Sequence, residues 1–177
     1  FSLWRAYNRG DVNKEELREI RFYKTLGNLG IKDKRLAMQM EDEFLENCPR
    51  KPHVLPYAFE ILDYLMTKYE LHIITNGFKG SSEDKLINSK LRPYFKECIT
   101  SECIGITKPN AKIFEYAVNL SGGTVEESIM VGDNAETDMR GAFNSGIDRI
   151  YFNPNGKKCD VEVHYQVREL RELRAFL

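Results

Sequence analysis

The sequence predicts an α/β fold, a parallel sheet covered by helices on both faces and preceded by an all-helical unit. Three observations carry that expectation. Short apolar runs at 71–75, 98–101, 129–132 and 149–152 alternate with stretches of helical periodicity, and such alternation builds βα repeats around a parallel sheet buried on both sides. The first fifty residues hold helical patterns and no strand-like run. Pro49, Pro52 and Pro56 gather where the pattern changes, as expected at a boundary between units. The expected division is a helical unit over 1–52 and an α/β unit over 53–177.

Each element has a local reason. Asn13 with Glu16 three residues on has the form of a capping box, in which the asparagine accepts from a free helix N–H and the glutamate reaches back. Leu17, Ile20, Tyr23 and Leu26 then follow helical spacing until Gly27 and Gly30. A second helix opens at Asp33, carries Leu36, Met40, Phe44 and Leu45, and ends near Cys48-Pro49. From Tyr57 to Tyr69, the apolar side chains Ala58, Ile61, Leu62, Leu65 and Met66 lie on one helical face. The run Leu71–Thr75 stops at Asn76-Gly77, and further helices are expected at about 82–89, 111–120 and 135–144. The tail, 167–177, reads as a final helix that docks through Leu170, Leu173 and Phe176 or Leu177.

Composition narrows the function classes. The chain has 177 residues, 42% hydrophobic and 30% charged, which excludes a disordered chain. A formal net charge of −1 gives no overall basic field for a nucleic acid polymer. No apolar run approaches the length of a membrane span. The four cysteines are widely spaced without a CxxC pair, and the histidines at 53, 72 and 164 are scattered. That pattern points to reduced thiols in the cytoplasm rather than to a zinc site.

Three segments stand at the carboxyl ends of strands or beside them, where an open parallel sheet puts its site. Thr75-Asn76-Gly77 offers a hydroxyl and backbone N–H groups to phosphate oxygens, although Asn-Gly is also an ordinary turn. Lys108-Pro109 precedes a helix that Asn110 can cap. Its lysine is either a fixed charge opposite an anion or a solvated surface group. Gly132-Asp133 ends an apolar run, and Asp138 follows five residues later. Asp133 can offer an oxygen to Mg²⁺, while the bland reading makes both acids helix caps.

The order of these segments resembles motifs two, three and four of the haloacid dehalogenase superfamily. The resemblance covers almost the whole chain, with 53–177 as a Rossmannoid three-layer α/β/α hydrolase core and 1–52 as part of a helical cap of the C1 type. It implies a Mg²⁺-dependent phosphatase. Thr75, Asn76, Gly77 and Lys108 would bind phosphate, Thr75 and Lys108 would act in catalysis, and Asp133 would ligate Mg²⁺, with Asn134 and Asp138 in support. The stretches Ile73-Ile74-Thr75-Asn76-Gly77-Phe78, Leu91–Phe95, Ser101-Glu102, Lys108-Pro109 with Ile113-Phe114, and Tyr151–Pro154 look like the noncanonical pyrimidine nucleotidase branch. That branch implies a nucleoside 5′-monophosphate as substrate.

The superfamily's first motif, a strand ending in Asp-x-Asp with the nucleophile, has no counterpart. No Asp-x-Asp occurs in the sequence, and Asp11 has no apolar strand before it. The missing strand belongs between the strands near Leu71 and Ile129, which would then stand nearly two spacings apart, about 9–10 Å. The sequence therefore reads as part of a longer polypeptide, inactive by itself, whose upstream aspartate would form an aspartyl-phosphate. Open alternatives are a phosphoglycolate or sugar-phosphate phosphatase, a dehalogenase, a pyrophosphatase, a catalytically inactive binding protein and, of another class, a receiver domain.

Overall fold

The computed structural model describes residues 2–177, with Phe1 outside the described residues. The chain divides into two compact units, Phe1–Lys51 and Pro52–Leu177.

The first unit is helical. It contains α1 (Ser2–Arg9), α2 (Lys14–Gly27), α3 (Lys34–Asn47) and a 3₁₀ turn, Cys48–Arg50. Asn13 caps α2 as its sequence suggests. Its side chain accepts from Glu16 N at 2.9 Å while its own N–H donates to Glu16 Oε2 at 2.8 Å. Asp33 caps α3 by accepting from Leu36 N at 2.9 Å. Leu17, Leu26 and Ala37 bury the apolar faces of α2 and α3 against each other.

One acid sits in that apolar seam. Glu41 is fully buried, with Arg21 Nη2 at 3.1 Å and Arg18 Nε at 4.0 Å, and Arg21 also stacks on Phe44, 4.8 Å from the ring centroid. Neither carboxylate oxygen has a hydrogen-bond partner. Desolvation pushes the Glu41 carboxyl above the ordinary range, and the two arginine charges only partly offset it.

The second unit alternates strands and helices as expected. In order it holds α4 (Ala58–Leu65), β1 (His72–Thr75), α5 (Lys79–Asn88), β2 (Glu97–Thr100), α6 (Ser101–Ile104), α7 (Ala111–Ser121), β3 (Ile129–Gly132), α8 (Arg140–Asn144), β4 (Asp148–Phe152) and β5 (Tyr165–Val167). Helices cover both faces. Ile113, Phe114 and Ala117 of α7 pack with Ala142 of α8 and Ile99 of β2. On the other face, Ile61 and Leu65 of α4 pack with Ile150, Val167 and Leu173. This is a three-layer α/β/α unit.

The sheet is in two pieces. β1 pairs in parallel with β2, from His72 opposite Glu97 to Thr75 opposite Thr100. β3, β4 and β5 form a second parallel sheet in that order, with Gly132 opposite Tyr151. Among the described residues, β1 and β3 are thus paired on one side only. Their burial agrees: every residue of β1 is partly exposed and Ile129 of β3 is 44% exposed, whereas Ile150 and Tyr151 of β4 are enclosed. β2 and β5 are likewise paired on one side, so among the described residues only β4 has a neighbour on both.

Two elements differ from the sequence reading. The stretch 135–144 begins with a π turn, Ala135–Met139, before α8. The tail is not one helix. Tyr165–Val167 adds a strand to the edge of β4, and Leu170–Ala175 forms a 3₁₀ helix. Leu170, Leu173 and Phe176 recur every third residue, the period at which 3₁₀ side chains eclipse. Leu170 and Leu173 still dock on the core, while Phe176 stacks on Tyr165 at 4.2 Å.

Two outcomes are expected. Gly141 lies so close to the Phe114 ring that an added methyl would overlap it. Gly141→Ala should therefore destabilise the α/β unit by about 1–3 kcal/mol in urea titrations, and an unchanged midpoint would contradict this packing. The second outcome concerns Glu41. Because its folded pKa is raised, its favourable contribution is complete below the unfolded value and is lost as pH rises through the folded value. The stability of Glu41→Gln minus that of wild type should thus increase with pH above about 4.3; a difference that stays flat would mean that the carboxylate is not desolvated.

Candidate active site

The carboxyl ends of β1 and β3 and the loop before α7 meet at one lysine. Lys108 is buried, 8% exposed, yet its ammonium is charged chemistry that needs partners. Its Nζ donates to Ile74 O of β1 at 2.7 Å and lies 2.7 Å from Asp138 Oδ1. Asp138 is itself buried in the π turn after β3. The ammonium thereby bridges the two sheets. Two of its three N–H donors are directed at these oxygens.

Asp138 is held by its own segment. Its Oδ2 accepts from Asn134 N at 3.1 Å and its Oδ1 from Thr137 Oγ1 at 3.1 Å. Asn134 caps the turn, accepting from Glu136 N at 3.0 Å and Thr137 N at 3.1 Å. A side chain at Gly132 would meet Asp138 Cβ at 2.5 Å, so only glycine lets the carboxylate fold back on the strand end. A π turn at this place is a feature that recurs at functional sites.

At the end of β1 the residues divide the work differently from the sequence expectation. Thr75 Oγ1 accepts from Gly77 N at 2.9 Å. That Gly77 N–H is therefore turned to the threonine, while the threonine's own O–H remains a donor. Asn76 is partly buried, and its amide pairs with the backbone of Lys108. Its Nδ2 donates to Lys108 O at 3.0 Å and its Oδ1 accepts from Lys108 N at 2.8 Å. The Lys108–Pro109 peptide is cis, and Asn110 caps α7 by accepting from Lys112 N at 3.0 Å.

Asp133 stands exposed at the tip of β3. No group of three or more His, Cys, Asp or Glu residues among the described residues could hold a metal. A Mg²⁺ held by one or two carboxylates plus substrate oxygens and water asks little of the protein, and the exposed Asp133 carboxylate is the oxygen that this strand tip would offer it. Asp138 is committed to Lys108.

Several neighbouring groups were not assigned a site role from the sequence. Ile74 contributes a backbone carbonyl, which no residue type announces. Thr137 sits beside Asp138 and its hydroxyl was a visible signal. Glu102 accepts from Lys79 N at 2.6 Å, capping α5 from another segment. Tyr151 is enclosed beside the site, and burial, then the charges of Cys159, Asp133 and Asp138, raise its hydroxyl above the ordinary range.

Known proteins resemble this chain in sequence and fold. The haloacid dehalogenase-like hydrolase family model matches residues 6–152. The chain is 30% identical over 175 positions to the HAD-hydrolase YfnB of Bacillus subtilis, covering 97% of this chain and 73% of that protein. It is also 30% identical over 178 positions to the pyrimidine 5′-nucleotidase YjjG of Escherichia coli, covering 99% of this chain and 77% of that one. The crystal structure of YfnB bound to magnesium matches with a TM-score of 0.91 at 27% identity, covering 99% of this chain and 77% of the other. The chain belongs to the haloacid dehalogenase-like hydrolase family.

Proposed function

We propose that this chain carries the phosphate-binding and cap parts of a cytoplasmic Mg²⁺-dependent phosphatase acting on nucleoside 5′-monophosphates. The observation that carries this reading is the buried Lys108 ammonium, anchored by Ile74 O and Asp138. A cation fixed before substrate arrives stabilises phosphoryl charge without reorganisation, and burial strengthens it. Two relatives that span nearly the whole chain and bear a substrate name support the substrate class. They are pyrimidine 5′-nucleotidases, YjjG at 30% identity and PynA of Streptococcus pneumoniae at 29%.

In this mechanism Thr75 donates its hydroxyl to a phosphate oxygen and Lys108 offsets charge on phosphate and nucleophile. Asp133 and the substrate oxygens would hold Mg²⁺, which when bound neutralises phosphate charge. Asn134 and Asp138 keep the β3 end in shape. The attacking carboxylate is not among these 177 residues, which lack an Asp-x-Asp. In our reading it comes on a strand between β1 and β3 and attacks phosphorus; the P–O ester bond breaks, and the nucleoside leaves with a proton on its oxygen. Water hydrolyses the aspartyl-phosphate to inorganic phosphate and the free carboxylate, and without that carboxylate these residues alone are inactive. The helical unit, 1–52, acts as a partial cap that selects the leaving group.

A sugar-phosphate substrate is the second reading. It is favoured by 37% identity over 93 residues, 52% of this chain, to a glyceraldehyde 3-phosphate phosphatase of Methanothermobacter thermautotrophicus. Phosphate release by the full-length protein from nucleoside monophosphates and triose phosphates, with Mg²⁺ and with chelator, separates the two. The expected result is Mg²⁺-dependent release with nucleotides preferred; preference for triose phosphates would replace the substrate assignment. Asp133→Asn should lower kcat/KM by about a hundredfold or more and weaken the Mg²⁺ response. Wild-type activity in that variant would remove Asp133 from the metal site.

A further inference from the structure

The amide of Asn76 forms a closed pair with the backbone of Lys108, donating to its carbonyl and accepting from its N–H. Two antiparallel hydrogen bonds of this kind fix a residue as a ladder pair in a sheet does, in position and in rotation. The ammonium of the same lysine returns to Ile74 O, two residues before Asn76 on the same segment. The end of β1 thus grips Lys108 twice, at its backbone through Asn76 and at its tip through Ile74. A lysine has four rotatable side-chain bonds, so its charge is only as well placed as the backbone that carries it.

From this geometry we propose that Asn76 is a positioning residue whose work is to set the Lys108 ammonium in the phosphate site, rather than a phosphate ligand. The inference rests on the reading of Lys108 as the phosphate-facing cation. Only a side-chain amide of this length offers both a donor and an acceptor here. Aspartate would keep the bond from Lys108 N and turn a carboxylate oxygen against Lys108 O, and alanine would leave both backbone groups unmet.

The test is a double-mutant cycle in the full-length protein, with Asn76→Ala, Lys108→Met and both together. Asn76→Ala should lower kcat by about tenfold to a hundredfold, the range for partners that orient an active group. In the Lys108→Met background the same change should cost less than about twofold, because nothing remains to be positioned. Effects that multiply would mean that Asn76 acts on the substrate directly, and would overturn the proposal.

A second measurement does not need activity. Labelling of lysines with an amine-reactive reagent, mapped by peptide mass spectrometry, should find Lys108 protected in wild type. In Asn76→Ala it should react at least about tenfold faster, equivalent to losing one hydrogen bond's worth of protection, with the other lysines unchanged. Equal Lys108 labelling in the two proteins would overturn the proposal. A wild type without phosphatase activity, together with deprotected Lys108 in the variant, would retain the positioning role and reject the phosphatase reading. Asn76→Asp serves as the second variant if alanine prevents folding, with the same two outcomes deciding.

Discussion

A lysine buried among oxygens is the constraint from which most of the α/β unit's local geometry follows. Withdrawing an ammonium from water is costly unless it is paired and hydrogen-bonded. Lys108 meets that condition with Asp138 on one side and Ile74 O on the other. Breaking such a pair by removing one partner typically costs about 3–5 kcal/mol, because the remaining charge stays buried. Gly132 has no side chain because Asp138 lies against it, and Thr137 and Asn134 hold that carboxylate in place. Gly141 allows α8 to approach Phe114 and Pro109, which seats the lysine loop against the core. These are separate sequence features with one common cause.

The same lysine joins two sheets that backbone hydrogen bonds leave apart. β1 and β3 each present one edge without a strand partner among the described residues, and both are less buried than β4. Strand ends of both pieces nevertheless meet at Lys108, through Ile74 O of β1 and Asp138 after β3. That meeting is carried by a side chain from the loop before α7 rather than by continuous strand pairing.

Legibility in the sequence followed the range of the interaction. The α2 cap was readable because its partners, Asn13 and Glu16, lie within one turn. β1, β3 and β4 were readable from short apolar runs between turn residues. The tail misled because a spacing of three fits both a loose helical face and a 3₁₀ helix, and because Tyr165–Val167 becomes a strand only through the edge of β4. The positions of Thr75, Lys108 and Asp133 stood out by their order along the chain. What they touch did not. Asn76 and Lys108 are 32 residues apart, and Ile74 takes part through a carbonyl that every residue has. The buried Glu41 was hidden for a related reason: it lies on a helix among many charged residues, and only packing decides which one is enclosed.

The most direct measurement is a calorimetric titration of the full-length protein with inorganic phosphate, in wild type and in Lys108→Met. Methionine keeps the length and apolar stem of the side chain while removing its charge. The account expects saturable phosphate binding to wild type and a loss of at least about tenfold in affinity in the variant, as one charge-assisted hydrogen bond is removed. Equal affinity in the two proteins would mean that the buried ammonium does not face the phosphate, and that its role is to hold the two sheets together.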